Sequence, residues 1–166
     1  MVSTRFAIVD NPRLGMKTLL IVYHTGGVKT AQMAEAVARG ARAEAGVNVV
    51  LKRCAEAGPE DLLGADGLIL GTPENFGYLS GMMKDFLERV FYVCEGKVNG
   101  RPWALVVSAG QDGSGAVNSV ERIVTGLRME KRAEPIVALK DVTPEVLASC
   151  EELGAAFAAG LAMGVF

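Results

Sequence analysis

This 166-residue chain carries one histidine, His24. That scarcity excludes most zinc sites and any Ser-His-Asp machinery not built on His24 itself. Cysteine is scarce too: Cys54, Cys94 and Cys150 are odd in number, widely spaced and without a C-x-x-C pair. Their plain reading is free thiols in a reducing cytoplasm. No apolar run approaches the roughly 18–20 residues of a membrane span, the longest candidate being the Ala- and Gly-rich stretch 154–166. The first fifteen residues, MVSTRFAIVDNPRLG, lack a continuous apolar segment, which argues against a secretory signal. An excess of positive charge is missing as well. Seventeen Lys and Arg against nineteen Asp and Glu leave a net charge of -2 and a pI near 5.5. That balance argues against a nucleic-acid binder and is milder than a carrier docking by charge alone would need.

What is present is ordinary globular composition, 50% hydrophobic and 22% charged, in a length that suits one domain. Short apolar strands alternate with amphipathic helices. Met16–His24 is a continuous apolar run after one lysine, as a strand covered on both faces requires. After the turn Thr25-Gly26-Gly27, a helix is expected to about Ala45, with Ala34, Val37, Ala38, Ala41 and Ala45 on one stripe and Gly46 as its stop. Val47–Arg53 reads as a second strand, Pro59–Leu63 as a helical turn, and Asp66–Leu70 as a third strand. A helix over Leu79–Cys94 turns Leu79, Met83, Phe86, Leu87, Val90 and Cys94 to one face. Pro102–Ser108 is a fourth strand, Ser114–Arg128 a helix, Pro135–Leu139 a fifth strand. Thr143-Pro144 opens a last helix, an N-cap followed by proline. Such alternation implies a parallel sheet with helices on both faces. Residues 1–15 do not fit it: they read as a flexible arm, an edge strand at Arg5–Val9, or a gene-start artefact with Met16 as the natural start.

In open α/β sheets, ligands bind outside the carboxyl ends of the strands where strand order reverses. Three segments leave those ends: Thr25–Thr30, Thr72–Tyr78 and Ser108–Gly115. The first opens a helix, where free N–H groups and the helix dipole favour a phosphate. It is not a P-loop, because G-x-x-x-x-G-K-[ST] would need glycine at Tyr23 and Val28. Nor is Gly113-Ser114-Gly115-Ala116-Val117-Asn118 a dinucleotide fingerprint: it lacks the last glycine and follows the fourth strand, not the first.

Two segments carry a resemblance. Tyr23-His24-Thr25-Gly26-Gly27 with Thr30 and the helix AQMAEAVARGA looks like the phosphate loop of flavodoxin-like proteins. The run from Gly71 to Phe86, GTPENFGYLSGMMKDF, resembles the G-[ST]-P-x-x-F-G-x-x-[SA]-G-x-x-K-x-F segment of flavin-dependent NAD(P)H oxidoreductases, including quinone reductases of the tryptophan-repressor-binding-protein type. The resemblance spans Met16 to the C-terminus. It implies a flavodoxin-like three-layer α/β sandwich, a five-stranded parallel sheet in order 2-1-3-4-5, and one bound FMN. It further implies NAD(P)H as co-substrate, a quinone or similar small molecule as electron acceptor, and a homodimer or homotetramer.

Carried onto this chain, the resemblance assigns the FMN phosphate to the hydroxyls of Thr25 and Thr30 and to backbone N–H groups of Gly26, Gly27, Val28 and Lys29. Thr72, Pro73, Glu74, Asn75, Phe76, Gly77 and Tyr78 would flank the flavin ring on one side. Ser108, Ala109, Gly110, Gln111, Asp112 and Gly113 would flank it on the other. Their N–H groups would stabilise the charge that develops near N1 and O2 on reduction. No catalytic acid is assigned, because hydride passes directly from nicotinamide C4 to flavin N5.

The phosphate loop departs from the family in being short, with Thr25 in place of serine. The third loop, AGQDGSG, has no aromatic residue. One ring face is thereby left open for nicotinamide or quinone, which favours a reductase over the alternative, a one-electron carrier of the flavodoxin type docking to redox partners. Plainer roles stand beside these. His24 suits packing or hydrogen bonding. Lys29 fits a solvated first helical turn, and Glu74 and Asn75 fit an exposed loop. Cys94, Cys150 and Trp103 suit the core, and the small-residue tail suits close packing.

Overall fold

The computed structural model describes residues 15–166; the edge strand considered at Arg5–Val9 lies outside them. β1 (Lys17–Tyr23) feeds α1 (Lys29–Ala41), then β2 (Val47–Arg53), α2 (Pro59–Leu63), β3 (Gly67–Asn75), β4 (Tyr78–Leu79) and α3 (Gly81–Cys94). There follow β5 (Pro102–Ala109), α4 (Ser114–Gly126), β6 (Glu130–Lys131), β7 (Ile136–Leu139) and α5 (Pro144–Ala162). The parallel sheet runs β2-β1-β3-β5, and both β6 and β7 pair with the outer edge of β5. This is the order expected, with the fifth strand in two pieces.

Alternation along each strand explains the unbroken apolar runs. Leu19, Ile21, Ile69, Ala104 and Val106 face α1 and α5, while Leu20, Val22, Leu68, Leu70, Leu105 and Val107 face α2, α3 and α4. Every residue of β5 is buried. Thr143 caps α5 by accepting the Val146 N–H at 3.3 Å, and Ser80 caps α3 by accepting the Met83 N–H at 3.2 Å, each removing an orphan donor.

Several boundaries differ from expectation. α3 starts at Gly81, because Leu79 belongs to β4. α1 stops at Ala41, where the Ala43 and Glu44 N–H groups turn back to the Gly40 and Ala41 carbonyls and Glu44 Oε1 accepts the Gly46 N–H. The turn 42–46 therefore closes on its own bonds, and Ala45 is exposed. α4 ends at Gly126, ahead of Arg128 with φ +56°. The fifth strand is interrupted because positions 102 to 106 of β5 match 130 to 136 on the edge, so extra residues bulge around Pro135, which has no N–H to give a ladder. Edge positions tolerate this. The largest difference is β3, which continues through Gly71-Thr72-Pro73 to Asn75, with Pro73 in register against Ser108.

All three cysteines are buried and unpaired. Burial pushes the Cys54 thiol up to about 12, partly offset by the Arg89 charge, and the Cys150 thiol up to about 11; Cys94 is raised by burial too. Since the thiolate is the reactive form, the expected result with Ellman's reagent is no labelling of the native protein and three thiols after denaturation. Rapid native labelling would contradict this burial.

Candidate functional site

The strand order reverses between β1 and β3, which run parallel, and their carboxyl ends open a crevice there. β1 ends with the His24 N–H donating to the Gly71 carbonyl at 3.0 Å. Burial, reinforced by the Arg53 charge, holds the His24 imidazole below its usual range, so it is neutral at pH 7. The chain then turns through Thr25, whose hydroxyl donates to the Gly27 carbonyl at 2.9 Å.

Val28 is the N-cap of α1 and supplies no side-chain cap. The first helical bond is the Gln32 N–H to the Val28 carbonyl at 2.9 Å, so the N–H groups of Lys29, Thr30 and Ala31 have no helical partner. Gly26 and Gly27 have open space where a side chain would stand. Uncapped donors at the positive end of a helix, beside an unobstructed loop, fit an anion such as a phosphate. Behind them Thr30 is buried, its hydroxyl 2.8 Å from Ser108 Oγ. That bond ties the first turn of α1 to the end of β5.

β3 runs past this point and folds back. Asn75 pairs with Tyr78 and Glu74 with Leu79 in an antiparallel hairpin. The two turn residues, Phe76 and Gly77, both have positive φ, +54° and +70°, as a type I′ turn demands. Glycine adopts this at no steric cost, whereas a bulky residue is uncommon there; the Phe76 side chain is fully exposed. Three bonds clamp the hairpin. The Ser80 N–H donates to the Thr72 hydroxyl at 3.1 Å, the Leu79 N–H to Ser119 Oγ at 3.1 Å, and the Ala116 N–H to Glu74 Oε2 at 3.2 Å. Gly115 lies directly against the Gly77 carbonyl.

The third segment leaves β5 at Ala109. Gly110, Gln111 and Asp112 are exposed, and Asp112 Oδ1 accepts from the Ser114 N–H and hydroxyl at 3.0 and 2.8 Å. Those bonds hold the Asp112 carboxyl below its ordinary range.

A cleft of about 460 Å³ joins these parts, lined by Thr25, Gly26, Gly27, Val28, Lys29, Thr30, Pro73, Asn75 and Ser108. All nine are among the residues singled out from sequence, and the volume suits a small-molecule ligand. The others are placed differently. Thr72 is buried and its hydroxyl serves Ser80 and the Pro73 carbonyl. Glu74 caps α4, a role that neither a free loop nor a ligand contact describes. Tyr78 borders a second depression, between the hairpin and α4. Ala109–Gly113 lead into α4 without lining the cleft. The Lys29 side chain reaches past the crevice, donating to the Lys140 carbonyl and lying 3.7 Å from Asp141. The segment 139–141 was not foreseen at this rim, although it is simply the segment leaving the carboxyl end of the last strand.

A sheet that reverses order beside an uncapped helix, with a hairpin arm extending β3, defines a doubly wound α/β protein of the flavodoxin kind. Residues 55–143, just over half of the chain, match the family model described as NADPH-dependent FMN reductase, and the chain belongs to that family. It is 39% identical to a flavodoxin of Aquifex aeolicus over 68% of its own length and 60% of that protein. To an NAD(P)H dehydrogenase (quinone) of Acidithiobacillus ferrooxidans it is 34% identical, over 56% of its own length and 57% of that protein. The chain thus spans somewhat under two thirds of these curated relatives. Among solved structures, an archaeal flavodoxin superposes with a TM-score of 0.77 over 87% of this chain and 98% of that one, at 19% identity. A WrbA-like flavodoxin of Agrobacterium tumefaciens superposes with 0.75 over 89% and 98%, at 20% identity. At these identities the likeness is one of fold.

Proposed function

We propose that the protein binds FMN in the crevice and uses it to pass electrons from NAD(P)H to a quinone or a similar small acceptor. The observation that carries the reading is the cleft itself: free helix N–H groups and an open glycine loop meet the Pro73–Asn75 wall of the hairpin arm. Backbone N–H groups of residues 26–31 hold the phosphate, and the Thr25 hydroxyl joins them by turning from the Gly27 carbonyl. The Thr30–Ser108 bond fixes that cradle against the sheet. The hairpin forms one wall for a flat ring, and Gly110–Asp112 carry no aromatic side chain to cover the other. When bound, the flavin supplies a two-electron acceptor and donor. The family match and the quinone dehydrogenase relative support the reductase assignment. Three unpaired thiols support a cytoplasmic setting, and no helix among the described residues is long and apolar enough to cross a membrane. A homodimer or homotetramer is part of the same proposal, readable as solution mass by light scattering.

The test is steady-state oxidation of NADPH and NADH by the FMN-loaded protein, with a benzoquinone or ferricyanide as acceptor. Oxidation is expected. Tight FMN binding without oxidation of either nucleotide would overturn the reductase and leave the carrier. The carrier reading is favoured by the Aquifex flavodoxin relative. The rim speaks against it, since Glu74 is held by the Ala116 N–H and Asp141 lies 3.7 Å from Lys29, which leaves little acidic face for docking.

A further inference from the structure

Where the hairpin meets α4 lies a second depression of about 430 Å³, walled by Tyr78, Gly115, Asn118, Ser119 and Arg122. The last four follow a spacing of three and four residues, so they share one face of α4. Ser119 is committed to the hairpin. The ring of Tyr78, the Asn118 amide and the Arg122 guanidinium are exposed, and Arg122 has no carboxylate partner among the described residues.

Arg122 also borders an adjoining groove of about 500 Å³ between α3 and α4, apolar through Leu87, Phe91 and Ile123. The two other charged groups of that groove, Lys84 and Glu88, neutralise each other at 2.5 Å. The unpaired charge facing both spaces is therefore the guanidinium, a planar fork of donors that matches phosphate oxygens in pairs. Beside it are an apolar slot for a flat ring and an amide for sugar or base. From Gly115, under the hairpin turn, to Arg122 the helix rises about 10 Å. Arg122 thus stands about two helical turns along α4 from the hairpin turn, a span that a nucleotide can bridge.

We propose that this depression and groove hold the adenosine 2′-phosphate end of NADPH, and that Arg122 makes the protein prefer NADPH to NADH. The proposal rests on the reductase reading for the nucleotide's identity, but the site can be read without turnover. The probe is adenosine 2′,5′-bisphosphate, titrated calorimetrically into the full chain and compared with 5′-AMP. The wild type binds the bisphosphate more tightly, and Arg122→Ala weakens it by roughly tenfold or more, as loss of a charge-assisted pair implies. Arg122→Lys falls between them.

In turnover, Arg122→Ala raises KM for NADPH by a similar factor while KM for NADH, kcat and FMN affinity hold. Arg122 is exposed, and an unchanged melting temperature shows that the variant folds. Equal bisphosphate affinity in wild type and Arg122→Ala overturns the proposal, as does a KM change shared by both nucleotides. A change of solution mass in Arg122→Ala without any nucleotide effect overturns it too, and assigns the groove to a second copy of the chain. Arg122-dependent bisphosphate binding in a protein that oxidises neither nucleotide upholds the site and sinks the reductase reading instead.

Discussion

Gly154→Ala and Gly40→Ala each cost about 2–3 kcal/mol of folding stability, the upper part of the range for overpacking a tight contact. The two glycines sit where α1 and α5 touch backbone to backbone. A methyl on Gly40 would fall onto the carbonyl of Glu151, and one on Gly154 onto the carbonyl of Val37. Alanine should favour an isolated helix over glycine by about 1 kcal/mol, so a gain is the naive expectation. The clash wins because both obstructing atoms are main chain and cannot rotate away. The two helices can only part, which thins the buried layer of Ala34, Val37, Ala38, Ala41, Phe157 and Ala158. Once one methyl has pushed them apart the second finds room, so the double variant loses less than the sum of the singles. Urea unfolding of the four proteins measures this. Strict additivity, or a gain in stability, would show that the helices do not approach so closely.

Gly115→Ala is expected to act on ligand binding more than on stability. Its methyl would fall on the Gly77 carbonyl, again backbone, and would lift the hairpin from α4. Lifting it stretches the bonds from Leu79 to Ser119 and from Ala116 to Glu74 and shifts the Pro73–Asn75 wall of the cleft. A loss of about 1–3 kcal/mol from such overpacking, felt mostly at the cleft, raises the FMN dissociation constant about tenfold or more. Gly81→Ala is the control, since nothing lies within 4 Å of the added atom at the start of α3; its FMN affinity stays at the wild-type value. Equal affinity in Gly115→Ala would mean that the hairpin does not shape the site.

The layering was legible because burial on both faces leaves an unmistakable mark: MKTLLIVYH and PWALVVS are apolar without alternation, and each is followed by a helix with one greasy stripe. Crevice residues at 25–30, 73, 75 and 108 were legible because strand ends and a helix start are local features. The hairpin arm was not. Gly71-Thr72-Pro73 has the composition of a loop, yet Pro73 needs no ladder N–H where it pairs with Ser108, and the strand passes through. The side-chain partners of Glu74 and Lys29 were not legible for a different reason. Those partners, the Ala116 N–H and the Lys140 carbonyl, are brought near only by folding, and nothing in the spacing of the chain announces them. Arg122 left no trace at all, since one arginine on an amphipathic helix reads as solvated surface.

The anion cradle proposed at the start of α1 would be built from peptide groups, so its charge complementarity is written in no side chain. Peptide donors do not titrate, and the pull on a phosphate dianion should hold across the neutral range without an ionisable partner to lose. A scan that trims side chains one at a time would pass over most of it and find only Thr25 and Thr30. Sequence drift would pass over it as readily, for positions such as Val28 can change identity while presenting the same N–H. What selection can see there is the path of the backbone, and substitutions at Gly26 and Gly27 are where that path is exposed to change.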